Sequence, residues 1–286
     1  LLSAFRTNAG LTPKAPPYGG WESEALWADI NCHGHTLGHY QSACALMYRS
    51  TGDARFKQRV DYIAEELAAC QAASNSGLVC AFPKGPALVE AHIRGEKITG
   101  VPWYTLHKVF AGLRDGWQLA DSQTSRAVLL RLADWTVQAT APLSDAQFET
   151  MLATEHGGMN EVFADLFALT GDTRYRKAAE RFSHKALLTP LSQGRDTLDG
   201  LHANTQIPKV IGFQRVHEVT GQAPYGDAAL FFWRTVTRTR SFATGGHGDG
   251  EHFFPRADFE KHVFSAKGSE TCCQHNMLKL TRALFA

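Results

Sequence analysis

The sequence predicts an all-α fold, and within that class an α/α toroid, a six-hairpin barrel left incomplete at its C-terminal end. Three observations carry this. Helix-forming stretches come in pairs joined by short turns. The turns keep a fixed spacing: Gly171 and Gly221 lie 50 residues apart, and Asp121 lies another 50 back. The last segment, residues 276–286, is strongly helical and has no capping residue behind it.

The pairs follow one another along the chain. In the first, residues 43–49 run through Ser-Thr-Gly-Asp at 50–53 into 54–69. The second joins 108–119 to 125–139, the third 161–169 to 174–182, and the fourth 207–219 to 225–238. In each unit the first helix ends where a glycine can take positive φ, and a nearby Asp or Thr can cap the second helix. Apolar residues in the second helices recur at helical spacing, as do Tyr62, Ile63 and Leu67, or Phe231, Phe232 and Val236. A period near 50 suits stacked hairpins, and six of them closing into an inner and an outer ring need about 300 residues. A closed toroid and an open solenoid of hairpins both remain possible on this pattern. Four units and an uncapped last helix imply one domain, 1–286, cut from a longer protein.

The connections leading into the first helices are rich in polar residues and glycine: 31–39, 101–107, 154–161, 201–206 and 245–253. In a toroid these segments all reach one mouth of the barrel. Binding and catalytic groups are expected on such loops, held by a rigid scaffold.

Composition narrows the function. Hydrophobic residues make up 44% and charged residues 20% of 286 residues, with a formal net charge of +1. No basic field points to nucleic acid or to an anionic membrane. No apolar run approaches the roughly 18–20 residues that span a bilayer. The chain opens on Leu1 without a signal-type segment, so a processed or trimmed start is expected. Six cysteines are too few for a disulfide scaffold at this length. Cys70 and Cys80 flank a Ser/Asn/Gly turn and would pair only in an oxidising compartment.

Two motifs could carry chemistry. Residues 245–252 read GGHGDGEH, with four glycines letting the backbone approach a ligand and presenting Glu251 at the end of a strained loop. This arrangement reads equally as a general acid/base and as a surface turn with a solvated carboxylate. Residues 269–275 read SETCCQH, where Glu270 and Cys272, two apart at a helix start, could face one cation. Thiolate with carboxylate suits zinc, yet two ligands do not make a site, and a buried cysteine at a helix start fits as well. His35 and His39 share a helix face but lack the Glu of a metalloprotease helix. His107 and His202 occupy matching places ahead of first helices, and Asn204 and Gln206 add neutral hydrogen-bonding groups suited to a polyol.

GHTLGHY at 34–40, YTLH at 104–107, GGMNE at 157–161, LHANTQIPK at 201–209, DGEH at 249–252, ETC at 270–272 and NMLKL at 276–280 occur in this order. Together they make the chain resemble the glycoside hydrolases of family 127 and its relative family 146, formerly a domain of unknown function, which are β-L-arabinofuranosidases. The resemblance covers nearly the whole chain. It implies an α/α barrel followed by β-sandwich domains. It implies Glu251 as acid/base, and Glu270 and Cys272 as ligands of a Zn2+ site. In the family two further cysteines complete that site, and one is the nucleophile that forms a glycosyl-cysteine. Both lie beyond the position matching residue 286, and the resemblance does not put Cys273 in that role. His107 and His202 would hydrogen-bond furanose hydroxyls, and His39, Glu161 and Asn204 would line the subsite.

A retaining zinc-dependent β-L-arabinofuranosidase acting on plant arabinose-containing glycans is thus the expected function. The expected partners are an oligosaccharide substrate and the protein's own C-terminal domains, with neither nucleic acid nor membrane, in a secreted or periplasmic location. The isolated chain is expected to be inactive and to bind zinc poorly. Two rivals stand: another α/α-toroid hydrolase or lyase using two carboxylates, and a non-catalytic glycan-binding module. The first would tolerate Cys272→Ser, the second Glu251→Gln.

Overall fold

The structure, a computed structural model, describes residues 1–19, 22 and 32–285. Asn31, at the head of the predicted 31–39 connection, and Ala286, the last residue of the predicted 276–286 helix, lie outside the described residues. Among the described residues there are fourteen α-helices and no β-strand. They pack as two compact units, Leu1–His156 and Gly157–Ala286.

The first unit holds α1 (Ser3–Asn8), α2 (His35–Thr51), α3 (Ala54–Ala73), α4 (Pro86–Ile93), α5 (Pro102–Ala120), α6 (Gln123–Thr140) and α7 (Asp145–Leu152). The second holds α8 (Met159–Thr170), α9 (Thr173–Arg181), α10 (Lys185–Ser192), α11 (Ala203–Thr220), α12 (Ala223–Thr239), α13 (Phe259–His262) and α14 (Thr271–Phe285). The four predicted pairs are α2/α3, α5/α6, α8/α9 and α11/α12.

The turn chemistry is as the repeat implies. Gly52, Gly171 and Gly221 close their helices in the left-handed region at φ 69°, 72° and 71°, and Asp121 does so at 51° without being glycine. Asp53, Ser122 and Asp172 then accept backbone N–H bonds from the first turn of the next helix. Gln222 makes no such bond. Instead Pro224 stands in the first turn of α12, where its missing N–H costs nothing and its fixed φ is already helical.

Within each unit the first helices of successive pairs lie against one another: α2 on α5, and α8 on α11, with α14 also packed on α11. The approach is close because side chains are missing at the crossings. A Cβ on Gly38 in α2 would overlap the backbone carbonyl of Lys108 in α5. A Cβ on Gly212 in α11 would overlap the side chain of Asn160 in α8, which also donates to the Lys209 carbonyl at 2.9 Å. Phe110 and Trp103 in the first unit, and Phe163, Phe182, Phe213 and Phe232 in the second, are fully buried around these contacts.

The first helices begin earlier than the sequence suggests. The segment 101–107, expected as a connection, is helical from Pro102 on, with proline at the start of the helix again supplying the φ. His107 therefore sits in the second turn of α5, buried, rather than in a loop. The segment 201–206 is helical from Ala203, because the His202 side chain caps the helix by accepting from the Thr205 N–H at 3.2 Å. Pro208 then lies inside α11, leaving the carbonyl of Asn204 without its intrahelical donor. The helices α1, α4, α7, α10 and α13 fall outside the predicted pairs.

Cys70 and Cys80 are both free buried thiols, as is Cys44. No helix among the described residues is long and apolar enough to cross a membrane.

Two glycines of α2 and its end separate packing from backbone strain. Gly38→Ala forces α2 and α5 apart and should cost about 3 kcal/mol or more, the upper range of overpacking. Gly52→Ala meets open space and carries only the left-handed penalty of about 1–2 kcal/mol. Urea unfolding of the two variants should rank them in that order.

Candidate active site

The Gly-rich segment folds in the second unit as a two-residue hairpin. Asp249 and His252 exchange backbone bonds, N to O at 2.9 Å and 3.1 Å, and between them Gly250 and Glu251 both have positive φ, 52° and 69°. That pattern is a type I′ turn, whose second central position favours Gly. Here it holds Glu251, at a cost of about 1–2 kcal/mol. The strain is matched at Ser269, another non-glycine residue at positive φ (62°), immediately before Glu270.

Backbone bonds on both sides fix the hairpin. On one side the residue 251–253 stretch lies antiparallel to the approach to α11. Ala203 N–H donates to the Glu251 carbonyl at 2.7 Å, Phe253 N–H to Leu201 at 2.9 Å, and Gly200 N–H to Phe253 at 2.7 Å. On the other, Gly250 N–H donates to Lys267 at 3.0 Å and Ser269 N–H to Gly248 at 3.4 Å. The segment that delivers Glu270 is therefore laced to the hairpin that presents Glu251. Below them, Arg240 is buried and ties Asp196, Asp199 and the Phe254 carbonyl together. His247 stacks on Phe253 with ring centres 5.6 Å apart, and burial pushes its pKa down to about 4, so it stays neutral.

Glu251 is exposed, and its Oε2 stands 3.5 Å from Nε2 of His202. The His202 and His252 rings meet edge to face at 5.2 Å. Asn204 accepts a bond from Asn276 of α14 at 2.8 Å. Glu161, in the first turn of α8, pairs with Lys279 of α14 at 3.7 Å. His202, Asn204 and Glu251 are thus gathered at the start of α11, whereas Glu161 is engaged with α14.

Glu270, Cys272 and Cys273 each turn a ligand atom inward, and these atoms all lie within 4.8 Å of one another. The sequence reading left Cys273 aside, yet its thiol is buried in this group, 4.0 Å from Glu270 Oε2, while Cys272 lies 3.4 Å from the same oxygen. Burial raises both thiol pKa values, and the negative charge of Glu270 raises them further; Glu251 adds to the effect at Cys273. One carboxylate and two thiols converging this closely form a donor set that fits a soft dication such as zinc.

His39 and His107 belong to the first unit. His39 is exposed on α2, its ring 5.9 Å from that of His35. His35 itself is committed elsewhere: its Nδ1 lies 3.2 Å from Glu22 and 3.0 Å from the Cys32 carbonyl. Burial disfavours both charges. The contact between them, with the bonds from Thr36 to Glu22 and from His35 to Cys32, outweighs it, placing Glu22 at about 2 and His35 at about 9.

Also missed were His262 and Ser265, which hold Asp249, and Asn276 and Lys279. The last two lie in the quoted NMLKL motif but at positions that reveal a partner only once α14 is docked on α11.

The hairpins and their turns make this an all-α chain of helical hairpins, and its likeness to solved structures places the fold in the α/α toroid class. Two solved structures share the fold. One is Ara127N-Se, a GH127 β-L-arabinofuranosidase from Geobacillus stearothermophilus T6, with a TM-score of 0.72 at 14% identity over 99% of this chain and 46% of that one. The other is the GH127 β-arabinofuranosidase BT3674, with a TM-score of 0.70 at 16% identity over 99% and 45%. This chain spans less than half the length of either. The family model of the β-L-arabinofuranosidase GH127 catalytic domain matches residues 1–286, and the chain belongs to that family. No curated protein sequence matches it.

Two measurements follow. The His35–Glu22 pair stabilises the fold fully only between the unfolded values of 4.5 and 6.5. Its contribution fades as pH rises through about 9, where His35 loses its proton, and as pH falls through about 2, where Glu22 gains one. Urea midpoints across pH should show both limbs, and His35→Gln should remove the alkaline one. In metal-free protein iodoacetamide should label the exposed Cys272 and spare Cys273. Glu270→Gln should speed labelling of Cys272 at pH 8, since removing the negative charge lowers the thiol pKa.

Proposed function

We propose that this chain is the catalytic portion of a retaining, zinc-dependent β-L-arabinofuranosidase acting on plant glycans that contain arabinose, in the periplasm or outside the cell. One observation carries the reading: the hairpin presenting Glu251 is hydrogen-bonded along its length to the segment presenting Glu270 and Cys272. A carboxylic acid and a thiol-rich metal-binding cluster are thereby held in one place.

Glu270 and Cys272 would hold the zinc, with the Cys273 thiol inside the same donor set. When bound, the ion supplies the positive charge that keeps a coordinating thiol deprotonated at neutral pH. Glu251 does the proton work. Its protonated carboxyl stands clear of the protein surface, donates to the glycosidic oxygen as the C–O bond breaks, and as carboxylate later takes a proton from the attacking water. His202, whose Nδ1 caps α11, turns its Nε2 to within 3.5 Å of that carboxylate and orients it. Asn204, held by Asn276, offers its amide to a sugar hydroxyl. Neutral donors of this kind suit an uncharged furanose better than an acidic sugar.

A retaining course needs a nucleophile on the face of the anomeric carbon opposite the acid. The family resemblance puts it outside residues 1–286, so the activity belongs to the intact protein. There, Glu251→Gln should lower kcat/KM on an unactivated arabinofuranoside by about 10²–10⁴-fold, the usual worth of a general acid. Cys272→Ser should release zinc, as read by metal analysis. Full activity in Glu251→Gln, or full zinc content in Cys272→Ser, would overturn the corresponding half of the proposal.

A further inference from the structure

The hairpin that presents Glu251 is fastened from below by a side chain that the mechanism has not used. Asp249, the first residue of the turn, spends both carboxylate oxygens on the segment that follows. Its Oδ2 lies 2.6 Å from Nδ1 of His262, and its Oδ1 accepts from the Ser265 hydroxyl at 2.6 Å. His262 is itself held flat against Phe254, ring centres 4.1 Å apart and planes 13° off parallel. Phe254 packs in turn against Phe242, with the rings tilted, and against Phe259, edge to face. Ser265 also accepts from the Lys267 N–H at 3.1 Å, and Lys267 is the residue whose carbonyl takes the Gly250 N–H.

Every polar atom of the Asp249 side chain is thus committed to residues 262–265, and the next residues of that segment lead directly to Glu270. The other end of the same turn is Glu251, in a backbone conformation that a glutamate disfavours. Two charge-assisted bonds to one carboxylate outweigh the strain of a single left-handed residue. Without them the turn has nothing on its outer side but backbone bonds, and its tip would relax.

We propose that Asp249 is a positioning residue for Glu251. Gripping His262 and Ser265, it holds the strained turn at the height and angle from which Glu251 protonates the leaving oxygen. The inference rests on the reading of Glu251 as the acid.

The test compares leaving groups. Intact, metal-loaded protein and its Asp249→Asn, Ser265→Ala and Glu251→Gln variants are assayed on aryl β-L-arabinofuranosides, from dinitrophenyl, which leaves without a proton, to unactivated phenyl. A residue acting through the acid hurts poor leaving groups selectively, whereas general loosening of the fold lowers every rate alike. Asp249→Asn should lose about 10- to 100-fold in kcat/KM on the phenyl substrate and no more than about threefold on the dinitrophenyl one, a fraction of the loss from removing the acid itself. KM and the circular-dichroism melting curve should stay close to the parent's. Ser265→Ala, which leaves the His262 contact in place, should show the same slope at smaller amplitude, and it serves alone if Asp249→Asn does not fold. A flat profile in the Asp249 and Ser265 variants beside a steep one in Glu251→Gln overturns this proposal and leaves the acid in place. A flat profile in Glu251→Gln removes the acid assignment and this inference with it.

Discussion

The arrangement in the second unit depends on how near α11 lies to α8. Gly212 has no side chain where Asn160 sits, and Asn160 fills the gap with an amide that bonds the Lys209 carbonyl. That contact sets the line of α11, and the N-terminus of α11 sets the rest. His202 caps the helix, and the N–H of Ala203 takes the Glu251 carbonyl. The hairpin, pinned on that side, pins the 262–270 segment on the other, and that segment feeds the start of α14. Because α14 packs back on α11, the chain of dependence closes on the helix from which it began. The donor cluster and the acid are therefore placed by helix packing as much as by the loops that bear them.

The two units use the same device in different chemistry. In the first, the crossing of α2 and α5 is backbone against glycine at Gly38. In the second, an amide replaces the bare backbone and adds a hydrogen bond. Shape alone is satisfied in one case; in the other a buried polar group is also paired, and leaving that group unpaired would be expensive.

Much of this was legible in the residues. The hairpin turns were, because a glycine or Asp able to take positive φ, followed in three of the four by a capping Asp or Ser, is a local signal that needs no tertiary context. The grouping of Glu270 with Cys272 was also legible as a pattern, and so was the exposure of Glu251 in a Gly-rich stretch. The helix starts were not. Pro102 is a local start signal that the loop reading of 101–107 passes over, so His107 reads as a loop residue although it is buried in α5, and the His202 cap works through a backbone N–H that only the folded helix supplies. Cys273 and the grip on Asp249 were hidden for a related reason. Cys273 differs from Cys272 only in the direction its side chain takes at the first turn of α14, and His262 and Ser265 sit in a segment with no recognisable motif. The assignment of roles came from the order of motifs and not from spacing, which left both principal sites open.

The left-handed conformation of Glu251 has an evolutionary side. At that point of the turn glycine would sit without strain, and among the replacements of Glu251 it is the one that removes the left-handed penalty altogether. On the reading of Glu251 as the acid, the backbone here opposes the chemistry rather than supporting it. Descendants freed from selection for turnover would be expected to drift first at this position and to keep the rest of the scaffold, becoming sound helical proteins with a glycine where the acid once stood. A glutamate at this turn is held against the backbone's preference, which is the cost the reading of it as the acid has to justify.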